Sequence, residues 1–280
     1  MKTSLVANRT LSGQKDLKKA SKTLDKNLQK LSTGKRINKA ADDAAGLSIA
    51  SKLNSKLQSS RRALRNTNDA ISFVQVAESS LQSIHDALSR LRELSVQSAS
   101  DTLSDPQRAM LNKEYRELKG EIQRITLSTR LFEKRLLDGK IPKMEIQVGI
   151  HKGGANKLTI DTKLYSSTIK ALGIYDIDST SKQRALKSMP KIDYALEEIS
   201  SARAYFGSVQ AALKSASANL SHSIGGQAET KSRVVDADYA KQTANAVKNK
   251  VIQNAAVSVQ SQAKERSRSS LHLLKKQGGT

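Results

Sequence analysis

One long heptad seam determines the fold class of this chain: ALEEISSARAYFGSVQAALKSASANL, residues 195–220. Its apolar positions alternate between spacings of four and three residues, and they are Ala195, Ile199, Ala202, Phe206, Val209, Leu213, Ala216 and Leu220. This period places one apolar stripe along a helix and favours coiled-coil-like packing against another helix. The segment therefore predicts a long helix that needs helical partners of the same kind.

The first half of the chain carries two further stripes with the same period. The first consists of Ala77, Leu81, Ile84, Leu88 and Leu91, and the second of Leu111, Tyr115, Leu118, Ile122 and Ile125. Three such stripes can bury one another. We therefore predict a mainly α protein, in which the N- and C-terminal halves form a long antiparallel helical bundle or coiled coil.

The periodicity changes between the two helical halves. Met144, Ile146, Val148 and Ile150 alternate with polar residues or glycine, and a second short alternation covers residues 158–161. Gly153 and Gly154 lie between the two runs. This pattern predicts a small β-hairpin within the region 140–187.

The composition narrows the class of protein. The chain has 280 residues, is 37% hydrophobic and only 3% aromatic, and contains no cysteine. Few aromatics argue against a thick globular core, and the missing cysteines exclude disulfides, thiolate metal sites and cysteine nucleophiles. No apolar run is long enough for a transmembrane segment. The N-terminal residues MKTSLVANRT lack the apolar core of an ordinary secretory signal.

Both ends of the chain are basic and weakly amphipathic, within a net charge of +22. Residues 1–44 hold 11 Lys/Arg and 4 Asp/Glu, and residues 235–280 hold 8 and 3. We predict two terminal coiled-coil arms, 1–44 and 235–280, around a bundle domain, 45–234. The arms bury little area alone, so we expect them to fold only against each other or a partner. The predicted assembly seams are Leu17, Leu24, Leu28, Leu31, Val247, Val251, Ala255 and Val259.

The adjacent acids Asp42 and Asp43 are the strongest candidates for chemistry, and we interpret them as structural. On a helix their side chains point about 100° apart, so the two carboxylates do not converge as a glycosidase pair must. They suit the start of the helix that continues through Gly46, where the helix dipole stabilises acids. Asp42, Asp43 and Gly46 therefore predict a joint between the first arm and the bundle.

The other candidate motifs for binding or catalysis lack the residue spacing that their chemistry requires. Gly34-Lys35 lacks the remaining residues of a phosphate loop, and the four histidines show no paired metal spacing. The basic arms lack interleaved aromatics for base stacking. We therefore predict no enzyme, no cofactor, no metal site and no specific nucleic-acid partner.

Several stretches resemble bacterial flagellins. LQKLSTGKRINKAADDAAGLSIASKL (28–53) is similar to the N-terminal signature of that family. The C-terminal signature is matched by SARAYFGSVQ (201–210) and AETKSRVVDADYA (228–240). Further similar segments, in family order, are ANRTLS (7–12), NTNDAISFVQVAESSL (66–81), RLRELSVQSASDT (90–102), LLDG (136–139), IQVG (146–149), ANL (218–220) and LHLL (271–274).

The resemblance implies a short, core-only flagellin without variable outer domains, and an unusually basic one. It implies a subunit that polymerises with itself or with other flagellins into the extracellular flagellar filament for motility. Export would proceed unfolded through the flagellar type III apparatus. The implied partners are an export chaperone on the C-terminal arm, cap and hook-junction proteins, and the flagellin-sensing Toll-like receptor. Arg90, Leu94 and Glu114 match the positions that this receptor contacts, or that pack between subunits.

Two alternatives remain open at this point. One is a hook–filament junction protein or a surface-displayed flagellin homologue. The other, from a different class, is a basic helical protein that binds nucleic acid through charge alone. Gly225-Gly226 and the many lysines depart from the usual flagellin pattern.

Overall fold

The computed structural model describes residues 2–131, 134–140, 143–161 and 165–277. The helices are α1 Lys2–Thr33, α2 Ala44–Ala99, α3 Asp105–Ser128, α4 Lys182–Val235 and α5 Tyr239–Gln277. The strands are β1 Arg130–Leu131, β2 Lys134–Arg135, β3 Met144–Gln147 and β4 Lys157–Ile160. The mainly α fold with a small β region is therefore confirmed.

The chain divides into two compact units. The first comprises residues 1–55 and 227–280, and the second comprises residues 56–226. The predicted division into arms 1–44 and 235–280 around a bundle 45–234 has different boundaries, and it stays a prediction.

The second unit has a core built from the three predicted stripes. Leu81, Ile84, Leu88 and Leu91 of α2 are fully buried, as are Tyr115 and Ile122 of α3. Ala195, Ile199, Ala202 and Phe206 of α4 complete this core. The period of the apolar residues thus predicted which faces of the three helices pack together.

The β region of the second unit contains two short antiparallel pairs. The predicted hairpin pairs β3 with β4, and Ile146 lies opposite Leu158. Ile160 is fully buried in the core, and the amide of Asp161 donates a hydrogen bond to the Tyr205 hydroxyl at 2.9 Å. Contacts with α4 therefore fix the end of β4. The second pair, β1 with β2, was not predicted.

The first unit pairs α1 with α5. Within residues 13–33 of α1, one heptad-spaced set of less exposed positions consists of Gly13, Leu17, Ala20, Leu24, Asn27 and Leu31. Within residues 239–266 of α5, a set with the same spacing consists of Gln242, Ala246, Asn249, Gln253, Ala256, Gln260 and Ala263. The inner face of α5 is thus built from amides and alanines.

Candidate functional site: the joint and the exposed arm surface

The joint is the segment 34–46 together with residues 234–237, all of which belong to the first unit. Helix α1 ends where Gly34 adopts a φ of +66°, a left-handed conformation that favours glycine. The chain then forms a short antiparallel bridge in which Lys35 lies opposite Asp236. The amide of Arg36 donates to the Val235 carbonyl at 2.6 Å, and the amide of Ala237 donates to the Gly34 carbonyl at 2.9 Å. Backbone hydrogen bonds therefore join the N- and C-terminal segments at the point where both helices stop.

Asp42 and Asp43 have separate structural roles in the joint. One Asp42 oxygen, Oδ2, accepts hydrogen bonds from the amides of Asn38 at 3.2 Å and Lys39 at 3.1 Å. Asp43 Oδ1 accepts from the amide of Gly46 at 2.8 Å, which caps the start of α2. Each carboxylate is thus directed at backbone donors of its own turn.

Electrostatics around Asp42 support this structural reading. The amides of Asn38 and Lys39 hold the pKa of Asp42 below its ordinary value, and the nearby charges of Lys30 and Lys26 lower it further. A lowered pKa keeps the carboxyl ionised and therefore a good acceptor for both amides. Catalysis by a general acid at neutral pH needs the opposite shift.

Gly46 is required where the joint meets α2. A Cβ at Gly46 would lie 2.5 Å from Asp43 Oδ2 and 2.6 Å from Ile37 Cδ1. Ile37 is buried, with 2% of its surface exposed. The predicted trio Asp42, Asp43 and Gly46 therefore lies together with Ile37, a residue that the sequence pattern did not single out.

The predicted seam residues are distributed over two different faces. Leu24 is buried, and Leu17 and Leu31 are partly buried on the α1 face that packs in the first unit. Leu28, however, is 50% exposed. In α5, Val247, Val251 and Val259 are 59%, 62% and 65% exposed, and Ala255 is also exposed. We call the set Val247, Val251, Ala255 and Val259 the valine face.

Of the predicted receptor-contact residues, two meet at the surface of the second unit. Arg90 Nη2 lies 2.8 Å from Glu114 Oε1, which links α2 to α3. Hydrogen bonds to Glu114 and then to Glu93 raise the pKa of Arg90 above its ordinary value. Leu94 is fully buried in the core, so its side chain supports this surface from beneath.

Two further features of the described residues bear on function. Among them, no helix combines the length and the apolar character that crossing a bilayer requires. His, Asp and Glu side chains within the same residues form no group of three that could hold a metal ion. The paired helices α1 and α5 and the bridge between Lys35 and Asp236 define a helix-paired protein whose N- and C-terminal segments fold together.

Comparison with known proteins specifies this class. Residues 6–141 match the bacterial flagellin N-terminal helical region, and residues 189–274 match the bacterial flagellin C-terminal helical region. The chain belongs to the bacterial flagellin family. As a flagellin, it is a structural subunit of the flagellar filament.

Individual relatives agree over nearly the whole chain. A flagellin of Halalkalibacterium halodurans is 35% identical over 89% of this chain and 91% of its own length. The flagellar filament 33 kDa core protein of Treponema phagedenis is 30% identical over 94% of this chain and 96% of its own length. The crystal structure of Bacillus cereus flagellin aligns with a TM-score of 0.50 and 28% identity, covering 56% of this chain and 88% of that one.

Proposed function

We propose that the valine face of α5 is the surface through which this flagellin packs against other subunits in the filament. The observation that carries the proposal is that Val247, Val251 and Val259 are more than half exposed, whereas the amide-rich heptad of α5 is less exposed. Exposed apolar residues in a row mark an interaction surface. Burial of each valine between subunits contributes about 1.5–3 kcal/mol.

The geometry of such a contact suits an open filament. Val247, Val251, Ala255 and Val259 repeat every four residues, and the set extends over about 18 Å of helix at 1.5 Å per residue. A contact between this face and a different surface of the next subunit is heterologous. Heterologous contacts that do not close into a ring generate helical filaments.

Seeded assembly tests this role directly. Purified full-length monomer is mixed with short filament fragments, and elongation is followed by light scattering and electron microscopy. The triple variant Val247→Ser, Val251→Ser, Val259→Ser should keep the helical content of the monomer and lose elongation. The matched control Val247→Ile, Val251→Ile, Val259→Ile keeps the face apolar and should elongate. Normal elongation of the serine variant would overturn the proposal.

The proposed packing of α5 between subunits also implies a division of the chain into assembling arms and a bundle. We propose that 1–44 and 235–280 act as the assembling arms and 45–234 as the bundle. The break between α1 and α2, together with the short link between α4 and α5, supports these boundaries. Limited proteolysis of the monomer should cleave first within residues 34–43 or 236–238, and first cuts inside α2 would argue against the division.

The remaining partners are proposals drawn from the family. We propose that the chain is exported unfolded through the flagellar type III apparatus and resides in the extracellular filament. Before export, a chaperone covers the valine face. Capping and hook-junction proteins bind at the filament ends. The role proposed is structural, without catalysis. A chaperone that covers the valine face should bind the isoleucine variant and release the serine variant.

We also propose that the Arg90–Glu114 pair forms part of a surface that either the flagellin-sensing Toll-like receptor or a neighbouring subunit contacts. Both side chains are nearly half exposed, and they bridge two helices over a firm core. Arg90→Ala should weaken receptor activation by the monomer. The control Arg124→Ala removes an exposed pair with Glu121 that lies within α3 alone. Equal receptor activation by both variants would show that the Arg90–Glu114 pair does not contact the receptor.

A further inference from the structure

A continuous basic ridge follows the outer side of α1. It consists of Lys15, Lys18, Lys19, Lys22, Lys26 and Lys30. At 100° per residue these six positions fall within an arc of about 120°. Leu17, Leu24 and Leu31, which pack in the first unit, lie on the opposite side of the helix. The lysine side chains therefore point away from α5, and all but Lys30 are exposed.

The lysines of the ridge outnumber the acids near them. None of its six lysines forms an ion pair with a side chain that the structure describes, although Asp16 and Asp25 lie on the same helix. In the second unit some lysines do form ion pairs, such as Lys157 with Glu145 and Lys191 with Asp176. The first unit as a whole holds 22 Lys/Arg against 8 Asp/Glu. Neighbouring lysines one turn apart repel each other, and an anionic ligand would relieve that repulsion.

Asp42, an acid of the joint that lies near the ridge, is already engaged. Lys26 and Lys30 lie close enough to Asp42 to lower its pKa. This carboxylate, however, already accepts hydrogen bonds from the backbone amides of Asn38 and Lys39. Beyond it, Lys35 and Lys39 are exposed and continue the positive charge into the joint. The outer side of α1 therefore carries an excess of positive charge from Lys15 to Lys30.

We propose that this ridge binds a linear polyanion of the phosphate type, with inorganic polyphosphate as the form of densest charge. From Lys15 to Lys30 the ridge is about 22 Å long and straight, which fits an extended chain rather than a compact anion. Lysine ammonium groups on flexible stems contact phosphates as point charges without a fixed geometry. Helix α1 contains no Phe, Tyr or Trp, so it offers no platform on which bases could stack. Binding should therefore depend on charge alone.

The binding measurement uses full-length monomer and fluorescently labelled polyphosphate, followed by anisotropy at several salt concentrations. Contacts from about five lysines predict a slope of log K against log salt near −3.5, so affinity falls about 100-fold between 50 and 200 mM salt. The variant with Lys15, Lys18, Lys19, Lys22 and Lys26 changed to Gln should bind at least tenfold more weakly. For this variant, the slope of log K against log salt should approach zero.

Two controls distinguish binding at the ridge from a general effect of the net charge of the protein. A matched variant changes five exposed lysines of the second unit, Lys56, Lys113, Lys170, Lys187 and Lys214, to Gln. It carries the same total charge and should keep its affinity. The Lys→Arg version of the ridge should also bind, and circular dichroism checks that each variant stays helical. An equal loss in both glutamine variants would overturn the ridge as the site.

Competing ligands test the chemical class. Polyglutamate of matched charge should compete at least tenfold less well than polyphosphate, since its carboxylates are borne on a bulkier chain. Oligo-dT of matched charge should also compete less well, because its phosphates are spaced further apart. Equal competition by either polymer would overturn the assignment to polyphosphate. The inference concerns the surface of the monomer, so it stands or falls separately from filament elongation.

Discussion

The amide of Arg36 donates a hydrogen bond of 2.6 Å to the carbonyl of Val235, across 199 positions of sequence. The Arg36 guanidinium adds a second hydrogen bond, from Nη2 to the Val234 carbonyl at 2.6 Å. These contacts satisfy carbonyls at the end of α4 that have no partner within the helix. The stop of α1 and the stop of α4 are therefore stabilised by each other, and neither chain segment can form the joint alone.

Substitution of Gly46 tests how closely the joint is packed. We expect Gly46→Ala to destabilise the monomer by about 1–3 kcal/mol, because the new methyl group overlaps the Asp43 carboxylate and the buried Ile37 side chain. Alanine is otherwise the better helix former by about 1 kcal/mol. Urea unfolding of the monomer, followed by circular dichroism, measures the difference.

Gly120 in α3 is the matched control for this substitution. A Cβ at Gly120 would meet no atom within 4 Å, so Gly120→Ala should be neutral or stabilising by up to about 1 kcal/mol. If both alanine variants gained stability, the close packing around Gly46 would be absent in solution.

Much of the joint could be predicted from the sequence, because capping acids and a small residue at the start of a helix leave a local signature. Asp42, Asp43 and Gly46 are near neighbours, and the structure brings them together. The bond between Arg36 and Val235 has no such signature, since backbone groups pair regardless of residue type. Ile37 is a single apolar residue between two polar stretches, so no period marks it.

The packing face of α5 shows a different limit of sequence reasoning. Apolar spacing singled out Val247, Val251 and Val259, which the structure leaves exposed. The inner heptad includes Gln242, Asn249, Gln253 and Gln260, and amide side chains carry no signal in a hydrophobic pattern. For the second unit the same method works well, because its stripes consist of large apolar residues that are buried in one core.

The pH dependence of the joint should follow Asp42. Its pKa is lowered in the folded chain from the ordinary value of 3.8, so its contribution to stability is complete above that value and is lost as pH falls through the folded value. A carbon-detected NMR titration of the Asp42 carboxyl should give a pKa below 3.8, its ordinary value.

A variant checks the consequence of that shift for stability. Asp42→Asn should lower the melting temperature at pH 7, and the difference from the unchanged protein should shrink as the pH falls below the ordinary value of 3.8. Asp25→Asn is a suitable control, because Asp25 forms no hydrogen bond with a described residue and is exposed on α1. A melting difference for Asp42→Asn that stayed constant with pH would rule out this electrostatic role.

Two leucines at predicted contact positions should respond very differently to truncation. Leu94 is fully buried, whereas Leu28 is 50% exposed. Leu94→Ala should cost about 2–5 kcal/mol, because it leaves a cavity in the core of the second unit. Leu28→Ala should change the stability of the monomer by less than about 0.5 kcal/mol. Denaturant titration of both variants measures the contrast, and similar losses would mean that Leu28 is buried in the monomer in solution.

Hydrogen exchange should distinguish the two units within one monomer. The α1–α5 pair is held by alanines, amides and a few leucines, so it buries less apolar area than the core around Leu81, Leu88 and Phe206. Local opening therefore needs less free energy in the first unit. Amides of residues 15–31 and 242–263 should exchange at least tenfold faster than those of residues 81–91. Assembly into filaments should slow the exchange of residues 242–263 most, because the valine face becomes buried there. Equal protection of both units in the monomer would show that the amide-rich seam is as stable as the leucine core.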